Sequence, residues 1–213
     1  MLLIRTDHDS ATHYLFEACH EVIEEAKRKG FQPLCIESKE ITLTTIQKRV
    51  KKSHPRFFFF NGHGSDSSVF DNKGKELIAR KDADVFSETI AFTRSCSCLQ
   101  KLGEEAVNQG CRSFIGYRRS FYISHLDSYA TRPLKDPAAK PVLETSNLVA
   151  LSLIRGKTVG ESIEASKRKS AEYIRDLSYS NDPYLSATLP ALINNVAALG
   201  FCGDEGASLN VSK

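Results

Sequence analysis

Hydrophobic residues recur along this chain with two different periods, one typical of strands and one typical of helices. The mostly apolar run Leu2 to Arg5 predicts a strand, and the helically spaced apolar positions that follow, up to Ala26, predict an amphipathic helix that Gly30 ends. Phe57 to Phe60 is apolar at every position, as expected for a parallel strand that is buried on both faces. The same reasoning predicts further strands at Phe31–Ile36, Glu76–Ala79, Thr89–Arg94 and Arg112–Tyr117, a turn-rich stretch at Ser65–Gly74, and further helices at Ile41–Val50, Leu99–Gln109, Leu143–Arg155, Val159–Leu177 and Tyr184–Leu199.

This alternation of strands and helices predicts an α/β fold with a mostly parallel central sheet, helices on both faces and right-handed crossovers. Residues 118–141 mix aromatic, proline and charged side chains without a period, which predicts a long irregular loop of the kind that often builds binding sites. Asn181, Asp182 and Pro183 are predicted to separate the last two helices, and the extreme end of the small polar tail that begins at Gly203 is predicted to fray. The length of 213 residues favours a single domain spanning 1–213.

Charge and composition exclude several classes of partner. The net charge of +3 is a near balance of 29 basic and 26 acidic residues, so no nucleic acid or anionic membrane is expected as a partner. No apolar stretch approaches the roughly 18 to 20 residues of a spanning helix, and Met1 to Ile4 is too short for a signal-peptide core. A cytoplasmic location is therefore expected. The six cysteines are scattered, which favours reduced thiols over a disulfide framework.

Two predicted strands end in side chains that can carry chemistry. Phe57 to Phe60 leads into His63, and Thr89 to Arg94 leads into Cys96 just before a predicted helix. If these strands are parallel neighbours, both side chains emerge at the sheet edge where ligands bind in such folds. An imidazole and a helix N-terminus together stabilise a thiolate nucleophile. The amides of Gly64 and Cys96 could then form an oxyanion hole.

This pattern resembles the caspase-like cysteine peptidases, which include caspases, gingipains, separases and bacterial CHAT domains. The resemblance rests on an apolar strand ending in His63 and Gly64, and on a second strand ending in Ser95 and Cys96. Further similarity to the bacterial members is seen at the residues Cys98, Phe114, Ile115, Gly116, Tyr117, Gly203 and Asp204. The animal caspase pattern Gln-Ala-Cys-x-Gly is absent, so the chain resembles the bacterial CHAT and gingipain branch more, and aspartate specificity is not implied.

The resemblance implies a caspase-like three-layer sandwich and a cysteine endopeptidase in which His63 is the general base and Cys96 the nucleophile. It implies a protein or peptide substrate cut at a defined site, with no cofactor. Stand-alone bacterial domains of this kind resemble parts of defence or cell-death systems. The sequence specifies no oligomeric state.

Other interpretations of the same residues stay open. Cys98 competes with Cys96 as nucleophile, although Cys96 lies nearer the strand end. A metal site of Cys96, Cys98, Cys111 and His63 matches no standard zinc spacing, so no metal is predicted. One rival function is a catalytically silent module that binds a partner through residues 118–141 and the C-terminal helices. Another is a thiol redox sensor that uses Cys96 and Cys98.

Substrate preference can be predicted in two opposite directions. Asp7 or Asp9, after the first strand, could favour a basic side chain, since a partly buried carboxylate is stabilised by a cation. Aspartate at this place is also what a helix N-cap requires. Arg118 and Arg119, after the fifth strand, could instead bind an acidic side chain.

Overall fold

The apolar runs of the sequence form one central sheet. In the computed structural model, which describes residues 1–181 and 188–209, the strands are β1 (Leu2–Arg5), β2 (Leu34–Glu37), β3 (Phe57–Asn61), β4 (Ser68–Phe70), β5 (Glu76–Ala79), β6 (Ile90–Arg94), β7 (Ser113–Tyr117) and β8 (Leu199–Gly203). The helices are α1 (Ser10–Arg28), α2 (Leu43–Ser53), α3 (Lys101–Asn108), α4 (Lys140–Ile154), α5 (Val159–Ser178) and α6 (Thr188–Ala198). Short 3₁₀ segments lie at Ser38–Glu40, Arg80–Phe86, Asp127–Tyr129 and Pro133–Lys135.

The sheet has the order β2-β1-β3-β6-β7-β8, and only β8 runs antiparallel to its neighbour. The central pair, β3 and β6, is parallel and in register from Phe57 opposite Ile90 to Asn61 opposite Arg94. A separate antiparallel hairpin is formed by β4 and β5. This topology confirms the predicted mostly parallel α/β sheet, and it places the ends of β3 and β6 side by side.

Both faces of the sheet are covered, as the uninterrupted apolar strands predicted. Phe57 and Phe59 pack on the face covered by α1, α4 and α5, and Phe58 and Phe60 pack on the face that includes α2 and α3. All four phenylalanines are fully buried. The side chains of β3 thus hold the two helical layers to the sheet.

The structure corrects the prediction at three places. The predicted helix Tyr184–Leu199 gives way at Leu199 to β8, an edge strand that contains the expected terminator Gly200. Its predicted start, together with Asp182 and Pro183, lies outside the described residues. The stretch predicted as turns contains β4, and α3 begins at Lys101 instead of Leu99. Among the helices described, none is long and apolar enough to cross a membrane.

Candidate active site

His63 and Cys96 lie at the same edge of the sheet. Each follows by two residues the last paired positions of β3 and β6, Asn61 and Arg94, and a backbone hydrogen bond of 3.4 Å from Gly62 to Arg94 ties the two segments together. Both side chains line one small cavity, whose other walls are Ala11, Thr12, Leu15, Gly62, Arg94, Ser95, Phe121 and Ile123. The parallel register therefore brings to one cavity the two residues that the sequence singles out.

Asp9 holds the imidazole of His63. The carboxylate Oδ2 of Asp9 lies 2.5 Å from Nε2 of His63. The other oxygen accepts hydrogen bonds of 2.8 Å from the amide and the hydroxyl of Thr12, so Asp9 is also the N-cap of α1. The cap fixes the position of the carboxylate, and the carboxylate in turn fixes the ring.

The protonation of this pair follows from its hydrogen bonds. Burial acts to raise the pKa of Asp9, but hydrogen bonds from Thr12 and His63 outweigh burial and lower this pKa to about 2. An ionised carboxylate can only accept, so in the neutral ring of His63 the proton is on Nε2. Nδ1 then carries the lone pair that is needed to accept a proton.

The two candidate thiols have different surroundings. Cys96 is partly exposed to the cavity, and its sulfur accepts a hydrogen bond of 3.4 Å from the amide of Phe121. Cys98 is fully buried and lies 3.6 Å from the carbonyl oxygen of Ser68. Burial raises the pKa of the Cys98 thiol. Access therefore favours Cys96 as the reactive thiol, and the raised pKa of Cys98 counts against Cys98.

The backbone around Cys96 is tightly turned. Ser97 has a φ of 58°, in the left-handed region that a residue with a side chain enters at a cost of roughly 1–2 kcal/mol, and its amide donates to the carbonyl of Arg119 at 3.0 Å. Gly64 packs against this turn so closely that a Cβ there would lie 2.6 Å from the sulfur of Cys98 and 3.0 Å from Cβ of Ser95. Only glycine fits at position 64.

The predicted helix N-terminus does not lie beside Cys96. Because α3 begins at Lys101, residues 97–100 separate the thiol from its first turn. The partial charge of a helix end acts over about one turn, so this helix is not in place to stabilise a thiolate on Cys96. The amide of Phe121 is the donor that the structure offers instead.

The buried side chain of Arg94 stabilises the tight turn around Cys96. Its guanidinium is fully buried, and the hydrogen-bond partners that it has in the described part of the chain are neutral. These are Asn61 Oδ1, Asn147 Oδ1 at 2.8 Å, Ser146 Oγ at 3.2 Å, the Leu15 carbonyl at 3.3 Å and Cys19 Sγ at 3.0 Å. Burial raises the pKa of the Cys19 thiol, which therefore stays neutral. One side chain thus joins β3, β6, α1 and α4 two residues before Cys96.

We expect the substitution Arg94→Met to lower the free energy of unfolding by about 3 kcal/mol, because it leaves the buried oxygens of Asn61 and Asn147 without donors. Urea denaturation followed by circular dichroism measures this change. Arg49→Met, the same replacement at an exposed position on α2, is the matched control and should stay within about 0.5 kcal/mol of the wild type. Equal losses in the two variants would contradict the anchoring role of Arg94.

The other residues predicted to bind substrate are not among the residues that line the cavity. Asp7 contacts His13, with Oδ1 3.1 Å from Nδ1. The side chain of Arg118 lies near Gly200 in β8, and Arg119 is exposed. Neither arginine is among the cavity residues, and Asp9 reaches the cavity only through His63. Sequence reasoning missed Arg94, which does line the cavity, because it assigned this residue to the end of a strand.

The cysteines do not assemble a metal site. In the described part of the chain, Cys96, Cys98, Cys111 and His63 do not form a group of converging ligands. Cys111 instead contacts the carbonyl oxygens of Thr89 and Ser113 in the core. Gly203 and Asp204 also have local roles, since Gly203 has a φ of 97° at the end of β8 and Asp204 accepts from the Gly206 amide at 2.8 Å.

The fold is the caspase-like α/β sandwich that the sequence resemblance implied. The crystal structure of the Arg-specific cysteine proteinase gingipain R (RGPB) matches with a TM-score of 0.64 and 11% sequence identity, over 97% of this chain and 46% of that chain. The chain therefore spans less than half the length of that proteinase. No protein-family model and no curated protein matches the sequence. At this identity the likeness shows the fold alone, and membership of the CHAT branch stays a prediction.

Proposed function

We propose that this protein is a cysteine peptidase in which Cys96 is the nucleophile, His63 the general base and Asp9 the group that orients His63. The observation that carries the proposal is the cavity at the ends of β3 and β6, which His63 and Cys96 both line while an ionised Asp9 holds Nε2 of the ring. A nucleophile, a base and a third group that orients the base are the recurring parts of such catalysis.

In this proposal Nδ1 of His63 takes the proton of the Cys96 thiol, and the thiolate attacks the carbonyl carbon of the scissile peptide bond. The oxyanion that forms is stabilised by the amides of Gly64 and Cys96. The imidazolium then gives its proton to the leaving amine, and an acyl-enzyme remains on the sulfur. His63 next activates a water molecule, which releases the acid product and restores the thiol.

Experiment separates this proposal from the redox interpretation. A redox pair of Cys96 and Cys98 predicts a disulfide under mild oxidant, which mass spectrometry detects, and no peptide cleavage. The cytoplasmic location and a role in bacterial defence stay predictions.

Specificity is proposed from the residues that line the cavity. Among the described residues that line the cavity there is no carboxylate, the apolar surfaces come from Ala11, Leu15, Phe121 and Ile123, and Arg94 carries a permanent positive charge. A cation in the substrate would be repelled by the guanidinium, and an acidic or small apolar side chain would not. The arginine specificity of gingipain R is therefore not expected here.

A peptide library that varies the residue before the scissile bond tests this specificity. We expect peptides with an acidic or small apolar residue at this position to be cleaved at least about tenfold faster than peptides with lysine or arginine. Roughly one unfavourable charge contact produces a difference of this size. Asp7→Asn is the matched control, since the sequence-based hypothesis assigns Asp7 to binding a basic side chain, whereas in the structure Asp7 contacts His13. A strong preference for basic residues that disappears in Asp7→Asn would contradict the proposed specificity.

A further inference from the structure

A second imidazole lies beside the proposed pair of Asp9 and His63. The Nε2 atom of His8 is 4.0 Å from Oδ2 of Asp9, and the rings of His8 and His63 meet edge to face with centroids 5.4 Å apart. One ligand atom from each of these three residues lies within 4.8 Å of the other two. In the described part of the chain, no other histidine, cysteine, aspartate or glutamate side chains converge in this way.

The turn that carries two of these residues is held rigidly. The hydroxyl of Thr12 accepts hydrogen bonds of 3.0 Å from the amides of both His8 and Asp9, and the amide of Thr12 donates back to the Asp9 carboxylate. The third residue, His63, follows β3. The backbone positions of all three ligands are thus set by a helix cap and a sheet edge. A preorganised set of this kind loses little conformational freedom when it binds an ion.

Two imidazole nitrogens and one carboxylate oxygen are a ligand set that binds Zn²⁺ and related transition metals with one position left open for water. Tetrahedral ligands at about 2.0–2.2 Å from the metal are about 3.3–3.6 Å apart. The present separations of 2.5 Å from His63 to Asp9 and 4.0 Å from His8 to Asp9 lie on either side of this value. All three side chains reach solvent, so small rotations bring them into place and an ion can enter.

We infer that His8, Asp9 and His63 form a binding site for a divalent transition metal such as Zn²⁺, and that its occupation inhibits the enzyme. The inhibitory part of this inference rests on the proposed function. The metal takes Nε2 of His63, the nitrogen that otherwise donates to Asp9. In a neutral ring the displaced proton moves through solvent to Nδ1, and in an imidazolium the Nε2 proton is lost to solvent. In both cases Nδ1 carries a proton and cannot accept the proton of the Cys96 thiol.

His8 allows the site to be tested without altering the proposed catalytic groups. The test uses protein freed of metal with a chelator and titrated with Co²⁺, followed by displacement with Zn²⁺. Wild type should bind one equivalent with an absorption spectrum that lacks a thiolate charge-transfer band, because no cysteine is in the site. We expect His8→Ala to bind the metal at least roughly 10- to 100-fold more weakly. The loss of a group that only hydrogen-bonds to a metal ligand already has an effect of this size.

His20→Ala, which removes an exposed imidazole on α1 that is not one of the three proposed ligands, is the matched control and should bind as the wild type does. Equal affinity in wild type and His8→Ala, or a thiolate charge-transfer band on Co²⁺ binding, would overturn the site. Peptidase assays across the same Zn²⁺ range should show inhibition in wild type and His20→Ala. In His8→Ala the inhibition should shift to higher Zn²⁺ by the same factor as the affinity.

The two claims fail in different ways. Metal binding that depends on His8, in a protein without peptidase activity, would remove the proposed function and leave the metal site supported. An active peptidase whose metal affinity does not depend on His8 would overturn the site and leave the proposed function standing. An active peptidase that binds metal through His8 but is not inhibited would overturn the inhibitory mechanism.

Discussion

Replacing Cys96 with alanine is expected to lower kcat/KM for a cleaved peptide by at least roughly 10⁴-fold, because the acyl-enzyme can no longer form. The fold should tolerate the change, since Cys96 is only partly buried and its sulfur contacts the backbone amide and carbonyl of one residue, Phe121. Steady-state kinetics on purified protein measure the loss, and circular dichroism checks that the variant is folded.

Cys98→Ala is the control for this experiment because Cys98 is the competing thiol. Its side chain lies in the core, so the variant should lose some stability and keep most of its activity. If Cys98→Ala is inactive while folded and Cys96→Ala is active, the nucleophile has been assigned to the wrong cysteine. If both variants and the wild type treat every peptide alike, the peptidase proposal fails.

Asp9→Asn is expected to lower kcat/KM by roughly 10³- to 10⁴-fold while leaving the helix cap in place. Asparagine caps helices about as well as aspartate, so its oxygen can still accept from the Thr12 amide. Its NH₂ group would then face Nε2 of His63 and donate to it. This favours the tautomer with the proton on Nδ1, which removes the base, as in the serine proteases in which such a change has a comparable effect.

Stability gives the second measurement on Asp9→Asn. The depressed pKa of Asp9 means that its carboxylate contributes stability above the unfolded-state pKa of about 3.9, and that this contribution is lost as the pH falls towards 2. The Asn variant should therefore be less stable than the wild type at neutral pH, and the difference should shrink as the pH falls towards 2, where the wild-type carboxylate becomes protonated. Full activity in Asp9→Asn would show that the carboxylate does not orient the base.

The core of the fold could be predicted because its strands carry an unambiguous pattern. Phe57 to Phe60 can be buried only if both faces of the strand are covered, and the structure confirms this. The edge strand β8 has no such pattern, because Leu199 continues the apolar spacing of α6 and the strand contains Gly200 and Gly203. Glycine is unfavourable in strands, so the residues alone predict a helix that ends here. Only the pairing with β7 forms this strand.

The site could be predicted only where a local pattern marks it. His63 and Cys96 follow apolar strands, and parallel strands bring such residues to one edge. The contact between Asp9 and His63 joins residues 54 positions apart, and the capping of α1 already explains an aspartate at position 9. Arg94 also gave no local sign of its role, since arginine is rarely buried and its five partners come from distant segments.

Covalent labelling tests the central claim most directly. A peptide carrying a thiol-directed electrophile at the scissile position, incubated with wild-type protein and followed by peptide mapping, should modify Cys96 and leave the exposed Cys35 unlabelled at stoichiometric reagent. The labelling of Cys96 should slow strongly in His63→Ala. Modification that spreads over exposed cysteines at equal rates, or that is the same in wild type and His63→Ala, would contradict a reactive thiol activated by His63.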